Sequence, residues 1–216
     1  MSVKHELQTI ISGISDHAGA NSIKAAAHYL SESKKASGGT QKSELTKEQE
    51  KAKLISWIRA TDYWFTEFEE NRFIARGAEQ RVYLHKDERY VYKLNDSVFY
   101  QYWLDYFYSL LIHNYFFPQT AYQLIGFYLE HDILYAVVKQ PFIEITEQTY
   151  LPAVKQFLNE NGFQLKKNND YFNVDAGIIL EDLHDENVLT NKGVLFFIDT
   201  VFYLTDIFYQ PNCTSL

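Results

Sequence analysis

Cysteine is almost absent from this sequence of 216 residues, in which Cys213 is the only example. One cysteine cannot form a disulfide within the chain, so nothing in the sequence indicates an oxidising compartment. Residues 1–5 contain no apolar signal core, and no window of about 18 uncharged apolar residues occurs. These absences argue against a secreted disulfide scaffold and a helical membrane protein. We expect a cytoplasmic protein without membrane contacts.

Basic residues are also scarce in the larger part of the chain. The formal net charge is −8; residues 1–60 carry 9 Lys and Arg against 6 Asp and Glu, whereas the remaining residues carry 11 against 22. Proteins that bind the phosphate backbone of nucleic acids need a basic face. We therefore expect no direct nucleic-acid binding by the acidic part. An acidic site that holds a divalent cation remains compatible with a phosphate-bearing ligand.

The first 60 residues are predicted to be helical. At its full length the chain can form one sizeable domain, alone or with an appendage, and bury about 70 % of its unfolded surface. Apolar spacing predicts three helices, at residues 5–14, 22–35 and 46–60. Thr46 and Gln49 have the form of a capping box that opens the third helix, and residues 37–40 have the composition of a linker. We interpret residues 1–60 as an N-terminal helical appendage.

Residues 61–139 are predicted to form a small antiparallel sheet and a buried helix. The predicted strands are a hairpin over residues 73–84 and strands at 90–94, 121–129 and 133–139. Lys93 lies in the third of them. Ten of the residues from 98 to 117 are Phe, Tyr or Trp, which predicts a helix from about Ser97 to His113 that is buried nearly all round.

The most informative stretch lies near the C-terminus, after a predicted helix at 149–161 and a predicted hairpin within 163–174. Short apolar runs predict a strand at 178–180, an acidic loop, and a second hairpin around residues 190–193. This arrangement brings oxygen atoms of Asp182, Asn187 and Asp199 together. Mg²⁺ prefers carboxylate and amide oxygens, which Asn187 and Asp199 supply. Asp182 is then available as a base.

Asp182-Leu183-His184-x-x-Asn187, followed by Ile198-Asp199, resembles the catalytic loop and metal-binding aspartate of protein kinase-like phosphotransferases, especially the aminoglycoside and choline kinase-like branch. Taken with residues 113–115 and 137–142, residues 180–202 resemble more closely the kinase domain found in polyvalent proteins of phages and conjugative elements. The resemblance covers about residues 62–210. It implies an α+β, protein kinase-like two-lobed fold.

In that fold, residues 61–139 would form the first lobe with its aromatic helix. Residues 140–216 would form the hinge and a reduced C-terminal lobe, because only residues 200–216 follow Asp199. The glycine-containing triplet that usually begins at this aspartate is Asp199-Thr200-Val201 here, so we expect no glycine hinge and no regulated activation loop.

The resemblance implies ATP and Mg²⁺ as cofactors. Asp182 would orient the acceptor hydroxyl and accept its proton, while His184 would hold the loop or contact the γ-phosphate. Asn187 and Asp199 would bind the metal ion. Lys93 would neutralise the α- and β-phosphates, Gly77 would let the nucleotide-covering loop approach closely, and the backbones of Gln140 and Phe142 would bind adenine.

Two further features depart from the family pattern. Ala75 and Gln80 occupy the places of the other two glycines of the nucleotide-covering loop. The predicted aromatic helix contains no Glu to pair with Lys93, so either Asp105, its only acid, or Glu79 would take that role.

The resemblance therefore implies an ATP-dependent phosphotransferase that acts on a protein hydroxyl. Three alternatives stay open. The chain could be a catalytically impaired pseudokinase that binds nucleotide as an interaction module, or an enzyme that transfers AMP in the same site. It could also hold a hydrolytic metal ion with Asp182, His184, Asp185 and Asp199, although that alternative leaves Lys93 unexplained.

Overall fold

The structure is a computed structural model that describes residues 2–12, 21–36, 45–77 and 80–211, with the backbone alone for residues 21 and 34–36. The predicted linker at 37–40, Glu79 and Cys213 lie outside these residues. Among the helices in the described ranges, none combines the length and the apolar character that crossing a membrane requires.

The chain divides into two compact units, which we name after one residue in each. The Asp182 unit comprises Met1–Ser15, Ile112–Thr120 and Ile143–Leu216, and the Lys93 unit comprises Asp16–Leu111 and Ala121–Phe142. The predicted appendage of residues 1–60 is shared between them. Its first helix, α1 (Val3–Ile11), belongs to the Asp182 unit, whereas the other two belong to the Lys93 unit.

In its described residues the Lys93 unit contains two complete α-helices, most of a third that continues into the Asp182 unit, and one antiparallel sheet. The complete helices are α2 (Asn21–Ala36) and α3 (Lys47–Thr61), and the strands are β1 (Phe73–Arg76), β2 (Gln80–Leu84), β3 (Tyr90–Asn95), β4 (Gln123–Glu130) and β5 (Ile133–Pro141). The strand order is β1-β2-β3-β5-β4. These elements confirm the predicted helices and strands, and the predicted capping box of Thr46 and Gln49 is present at the start of α3. Large apolar side chains, among them Phe65, Tyr83 and Val137, form a core cluster of this unit.

Helix α4 (Trp103–Phe116) begins later than the predicted start near Ser97. The backbone of Ser97 has a left-handed conformation with φ of 57°, and its N–H donates to the Asn95 side chain at 2.7 Å, so a turn forms there instead. The helix starts where the buried carboxylate of Glu50, on α3, accepts the backbone N–H of Trp103 at 2.7 Å and that of Leu104 at 3.3 Å. A contact between distant residues thus sets this boundary.

The Asp182 unit contains two small antiparallel sheets. Besides α1, its elements are α5 (Leu151–Glu160), β6 (Gln164–Lys167), β7 (Asp170–Asn173), β8 (Ile178–Glu181), β9 (Val188–Asn191), β10 (Val194–Phe197), β11 (Val201–Leu204) and α6 (Asp206–Tyr209). One sheet has the order β11-β8-β7-β6, and β9 and β10 form a hairpin of their own. The predicted helix at 149–161, the hairpin within 163–174 and the strand, loop and hairpin from 178 onward are confirmed. Strand β11 and helix α6 were not predicted.

The N-terminal helix α1 contributes to the core of the Asp182 unit. Leu7 is fully buried in the same cluster as Ile178 and Val188. The Lys4 ammonium donates to the carbonyl oxygen of Ile207 at 2.6 Å, and the Gln8 amide donates to that of Phe208 at 2.7 Å. Helix α1 is therefore an integral part of the Asp182 unit.

Gly177 fixes how α6 lies against the start of β8. Its φ is +68°, and a Cβ atom at this position would lie 2.4 Å from the backbone nitrogen of Phe208. A larger residue is excluded both by the backbone conformation and by this close approach. The strand that leads to Asp182 is thereby packed directly on the C-terminal segment.

Candidate active site

The loop after β8 begins with an unusual backbone conformation at Asp182. Its φ is 66°, in the left-handed region that residues other than glycine adopt at a cost. The Asp182 carbonyl oxygen accepts the Asn187 side-chain amide at 2.8 Å and the His184 backbone N–H at 3.1 Å. The Asp182 N–H donates to the Asp170 carboxylate at 3.4 Å. The turn therefore depends on side chains of the predicted motif and on Asp170, which the sequence analysis missed.

The carboxylate of Asp182 lies between two other residues of the motif. The Asn187 amide donates to Oδ2 at 2.9 Å, and the His184 Nε2 lies 3.2 Å from Oδ1. The Glu186 N–H donates to His184 Nδ1 at 3.3 Å. The Asn187 nitrogen also lies 3.1 Å from Nε2, but its two hydrogens are donated to the carbonyl and carboxylate oxygens of Asp182, so Nε2 carries the hydrogen that points to Asp182 in the neutral ring. Each carboxylate oxygen thus has one donor and keeps lone pairs for a further ligand. The structure brings these three predicted residues together.

Asp199 lies in the short connection from β10 to β11, which is tied to the same loop at both ends. The Ile198 N–H donates to the Asn187 carbonyl oxygen at 3.0 Å. Val201, the first residue of β11, pairs with Glu181, which directly precedes Asp182. Because consecutive Cα atoms are about 3.8 Å apart, these two contacts keep Asp199 close to both Asn187 and Asp182. The strand that was predicted to return Asp199 to the loop does so.

The residues around the loop suit a hard divalent cation that is shared with phosphates. The described side-chain contacts of Asn187 are made by its amide nitrogen, which leaves the side-chain oxygen Oδ1 available as a ligand for a cation. In the described ranges no three His, Cys, Asp or Glu side chains form a group that could hold a metal ion. The hydrolytic alternative needs such a group, whereas Mg²⁺ bound with a nucleotide needs only one or two protein carboxylates and oxygen ligands.

Neighbouring acids make this end of the Asp182 unit electronegative. Burial raises the pKa of Glu181 above its ordinary value, and the adjacent Asp170 and Asp182 carboxylates raise it further, against a smaller opposite effect of Lys166. The same negative charge that disfavours ionisation of Glu181 favours a bound cation.

In the Lys93 unit, Lys93 is buried within the sheet at 4 % exposure. It lies on β3 opposite Val82 of β2 and Val138 of β5, and its ammonium is 5.6 Å from the centre of the Tyr122 ring. Lysine is almost never fully buried in a protein core without a specific interaction. A cation–π contact with Tyr122 contributes one. Asp105 lies in the first turn of α4 and Glu79 is outside the described residues, so the acid that pairs with Lys93 stays a prediction.

Gly77 lies in the turn between β1 and β2, where its N–H donates to the Gln80 carbonyl oxygen at 2.9 Å. A Cβ atom there would make only an ordinary contact with the Gln80 side chain, at 3.8 Å. The fold of this unit therefore does not by itself require glycine at position 77. The predicted close approach of a nucleotide remains one explanation for glycine at this position.

The predicted adenine-binding segment lies at the end of β5. Gln140 is buried and pairs with Val91, and the next strand residue, Pro141, pairs with Tyr90. The Phe142 N–H donates to the Arg89 carbonyl oxygen at 2.9 Å, whereas the Phe142 side chain is 43 % exposed. Because this N–H is already bonded, a nucleotide base would have to use the carbonyl oxygen or the ring of Phe142.

The chain matches the model of a protein family described as Serine/Threonine/Tyrosine Kinase found in polyvalent proteins, over residues 47–206. The chain belongs to this kinase family. The match includes all candidate residues of the kinase, from Gly77 to Asp199, and begins with α3, so α1 and α2 lie outside it. A search of curated proteins found no match. The mixed helices and antiparallel sheets are compatible with an α+β kinase-like fold.

Proposed function

We propose that this member of the kinase family is an ATP- and Mg²⁺-dependent phosphotransferase that phosphorylates a protein hydroxyl, and that its two compact units act as the two lobes of a kinase-like fold. One observation carries the proposal: Asp182 is held by His184 and Asn187, while the backbone beside Asp199 is bonded to Asn187. Base, amide ligand and acidic ligand thus belong to a single hydrogen-bonded assembly.

The proposed roles follow from the chemistry of each side chain. Asn187 Oδ1 and the Asp199 carboxylate would hold Mg²⁺, which when bound neutralises charge on the phosphates. Asp182 accepts a hydrogen bond from the acceptor hydroxyl through a remaining lone pair and takes its proton during transfer. His184 orients the carboxylate of Asp182 through Nε2.

On the nucleotide side, we propose that the buried Lys93 ammonium stabilises the α- and β-phosphates. Gly77 would allow the backbone of the β1–β2 turn to approach them. Gln140 and Phe142 would contact adenine, the latter through its carbonyl oxygen or ring because its N–H donates to Arg89. We further infer that the protein acts in the cytoplasm of a host that carries a mobile element, an inference supported by the family's occurrence in polyvalent proteins.

The proposal is tested by incubating purified protein and host-cell lysate with ATP labelled at either the γ- or the α-phosphate. Label from the γ-position that appears in protein, and disappears when Mg²⁺ is chelated, is the expected result. Incorporation from the α-position instead would establish AMP transfer. Mg-ATP that raises the melting temperature without any label transfer would establish a nucleotide-binding module.

Two asparagine variants localise the metal site. We expect Asp199→Asn to abolish Mg²⁺-dependent nucleotide binding, because one of two proposed protein ligands loses its charge. Asp185→Asn is the matched control, since Asp185 is exposed in the same loop and has no proposed role in transfer. Loss of activity in the control would contradict the assignment and favour the hydrolytic metal site that includes Asp185.

A further inference from the structure

Four residues around Asp199 are held by contacts with other parts of the Asp182 unit. The Thr120 hydroxyl donates to the Phe197 carbonyl oxygen, and the Phe197 ring stacks on Phe117 with centres 4.1 Å apart. Ile198 is bonded to Asn187, and Val201 is paired with Glu181, as described for the loop. The fourth residue, Thr200, is buried and directly follows Asp199.

Thr200 is bonded to a histidine that has no role in the proposed chemistry. His113, in the last turn of α4, is fully buried, and its Nδ1 lies 2.7 Å from the Thr200 hydroxyl oxygen. Its Nε2 lies 3.0 Å from the Thr120 carbonyl oxygen, which can only accept. Nε2 therefore carries the hydrogen, and Nδ1 accepts the hydroxyl hydrogen of Thr200. The neutral ring satisfies both of its nitrogens in this way.

The two partners of His113 act on opposite sides of Asp199. Thr200 follows Asp199 directly. Thr120, whose carbonyl oxygen accepts from the imidazole, donates its own hydroxyl to the carbonyl of Phe197, two residues before Asp199. A side chain that served only to fill the core could be aliphatic. The imidazole instead connects both flanks of the segment through hydrogen bonds.

We propose that His113 is a positioning residue, which holds the Asp199 segment in one conformation through Thr200 and Thr120 so that the Asp199 carboxylate is preorganised for Mg²⁺. The inference rests on the proposed function in so far as Asp199 is a metal ligand. A segment held in one conformation needs no hinge at Asp199. This agrees with the sequence Asp199-Thr200-Val201, which has no glycine where the family has a glycine-containing triplet. Residues that orient a metal ligand typically change metal affinity by about 10- to 100-fold when they are removed.

The test removes the Thr200 hydroxyl without changing the shape of the side chain. Thr200→Val should raise the Mg²⁺ concentration for half-maximal ATP binding by about 10-fold, and Thr200→Ser should stay within about twofold of the wild type because it retains a donor for Nδ1. Thr205→Val is the matched control: the Thr205 hydroxyl donates to the Gly177 carbonyl oxygen at 2.8 Å in the same unit. The control should leave the Mg²⁺ requirement unchanged.

A second readout needs no nucleotide. Hydrogen–deuterium exchange of a peptide that covers residues 197–201 should be faster in Thr200→Val than in Thr205→Val or the wild type. His113→Asn, whose amide oxygen can replace Nδ1 as an acceptor, should affect exchange and Mg²⁺ requirement less than His113→Leu.

The outcomes separate the inference from the proposed function. If Thr200→Val lowers stability but changes neither the Mg²⁺ requirement nor exchange at 197–201 relative to Thr205→Val, His113 is only a core residue and the inference is overturned. If the wild type binds no Mg-ATP at all, the proposed function fails and the metal-positioning role fails with it, whatever the exchange data show. Faster exchange together with a raised Mg²⁺ requirement supports both.

Discussion

The left-handed backbone of Asp182 leads to a prediction about its replacement by glycine and by alanine. At most positions alanine is the more stable of the two, because glycine loses more conformational freedom on folding. At Asp182, with φ of 66°, the order should reverse. We expect Asp182→Gly to be more stable than Asp182→Ala, although both variants lose the proposed base and should transfer phosphate much more slowly than the wild type.

The magnitude follows from two opposing terms. A left-handed conformation costs a residue with a Cβ atom about 1–2 kcal/mol, whereas the flexibility of glycine costs about 0.5–1 kcal/mol relative to alanine. Both variants lose the same contacts of the carboxylate with His184 and Asn187. With the Asp182 side chain 59 % exposed, these contacts contribute little and cancel in the comparison. The glycine variant should therefore be more stable by about 0.5–1 kcal/mol.

The free energy of unfolding can be measured by urea denaturation with far-ultraviolet circular dichroism. Tryptophan emission is unsuitable because Trp57, Trp64 and Trp103 all lie in the Lys93 unit. The same pair of substitutions at Asp185, whose φ is not positive, is the control and should show the ordinary order. An alanine variant at 182 that equals or exceeds the glycine variant would refute the reasoning.

Two other predictions concern stability away from the loop. Glu50→Gln should lower the free energy of unfolding by about 1–3 kcal/mol, because the 2 % exposed carboxylate accepts two N–H groups at the start of α4. An unchanged urea midpoint, followed by tryptophan emission, would contradict this role. Burial, and then its hydrogen bond to Glu6, raises the pKa of Tyr115 from 10.0 to about 12. The native state then keeps this proton at a pH where the unfolded state has lost it, so Tyr115 makes stability fall by about 1–2 kcal/mol as pH rises from 10 to 12. Urea unfolding of Tyr115→Phe across this range should show a smaller fall than the wild type; an equal fall would contradict the assignment.

The local parts of the candidate site could be predicted from the sequence. Apolar runs on both sides of an acidic loop defined β8 and the β9–β10 hairpin, and the spacing of Asp182, Asn187 and Asp199 carried the resemblance to kinases. The capping box at Thr46 was readable because its two partners are three residues apart. These elements could be predicted because the residues that determine them are close together in the sequence.

Contacts between distant residues could not be predicted. Strand β11 has only four residues and exists because it pairs with β8. The start of α4 depends on Glu50, which is about fifty residues earlier in the chain. The Asp170 contact with Asp182 depends on the position of the β6–β7 hairpin beside the loop. In each case the stabilising free energy comes from contacts between residues that are distant in the sequence. Such contacts leave no periodic pattern of apolar residues from which they could be predicted.

His113 illustrates the same limit in the candidate site. In the sequence, residues 113–115 contribute to the family resemblance, but this resemblance predicts no role for His113. Its significance comes from two hydrogen bonds, to Thr200 and Thr120, of which the first joins residues 87 positions apart. A histidine at the end of a helix that is predicted to be buried is a signal that could direct attention to such contacts, but only the fold identifies the partner.

In the proposed mechanism, the Asp182 carboxylate takes the proton of the acceptor hydroxyl during phosphoryl transfer. The most direct measurement is the single-turnover rate of γ-phosphate transfer by Asp182→Asn at saturating Mg-ATP, with nucleotide affinity measured separately. We predict a rate about 10²–10⁴ times lower than that of the wild type, with little change in ATP affinity. A variant that transfers phosphate at the wild-type rate would contradict the account.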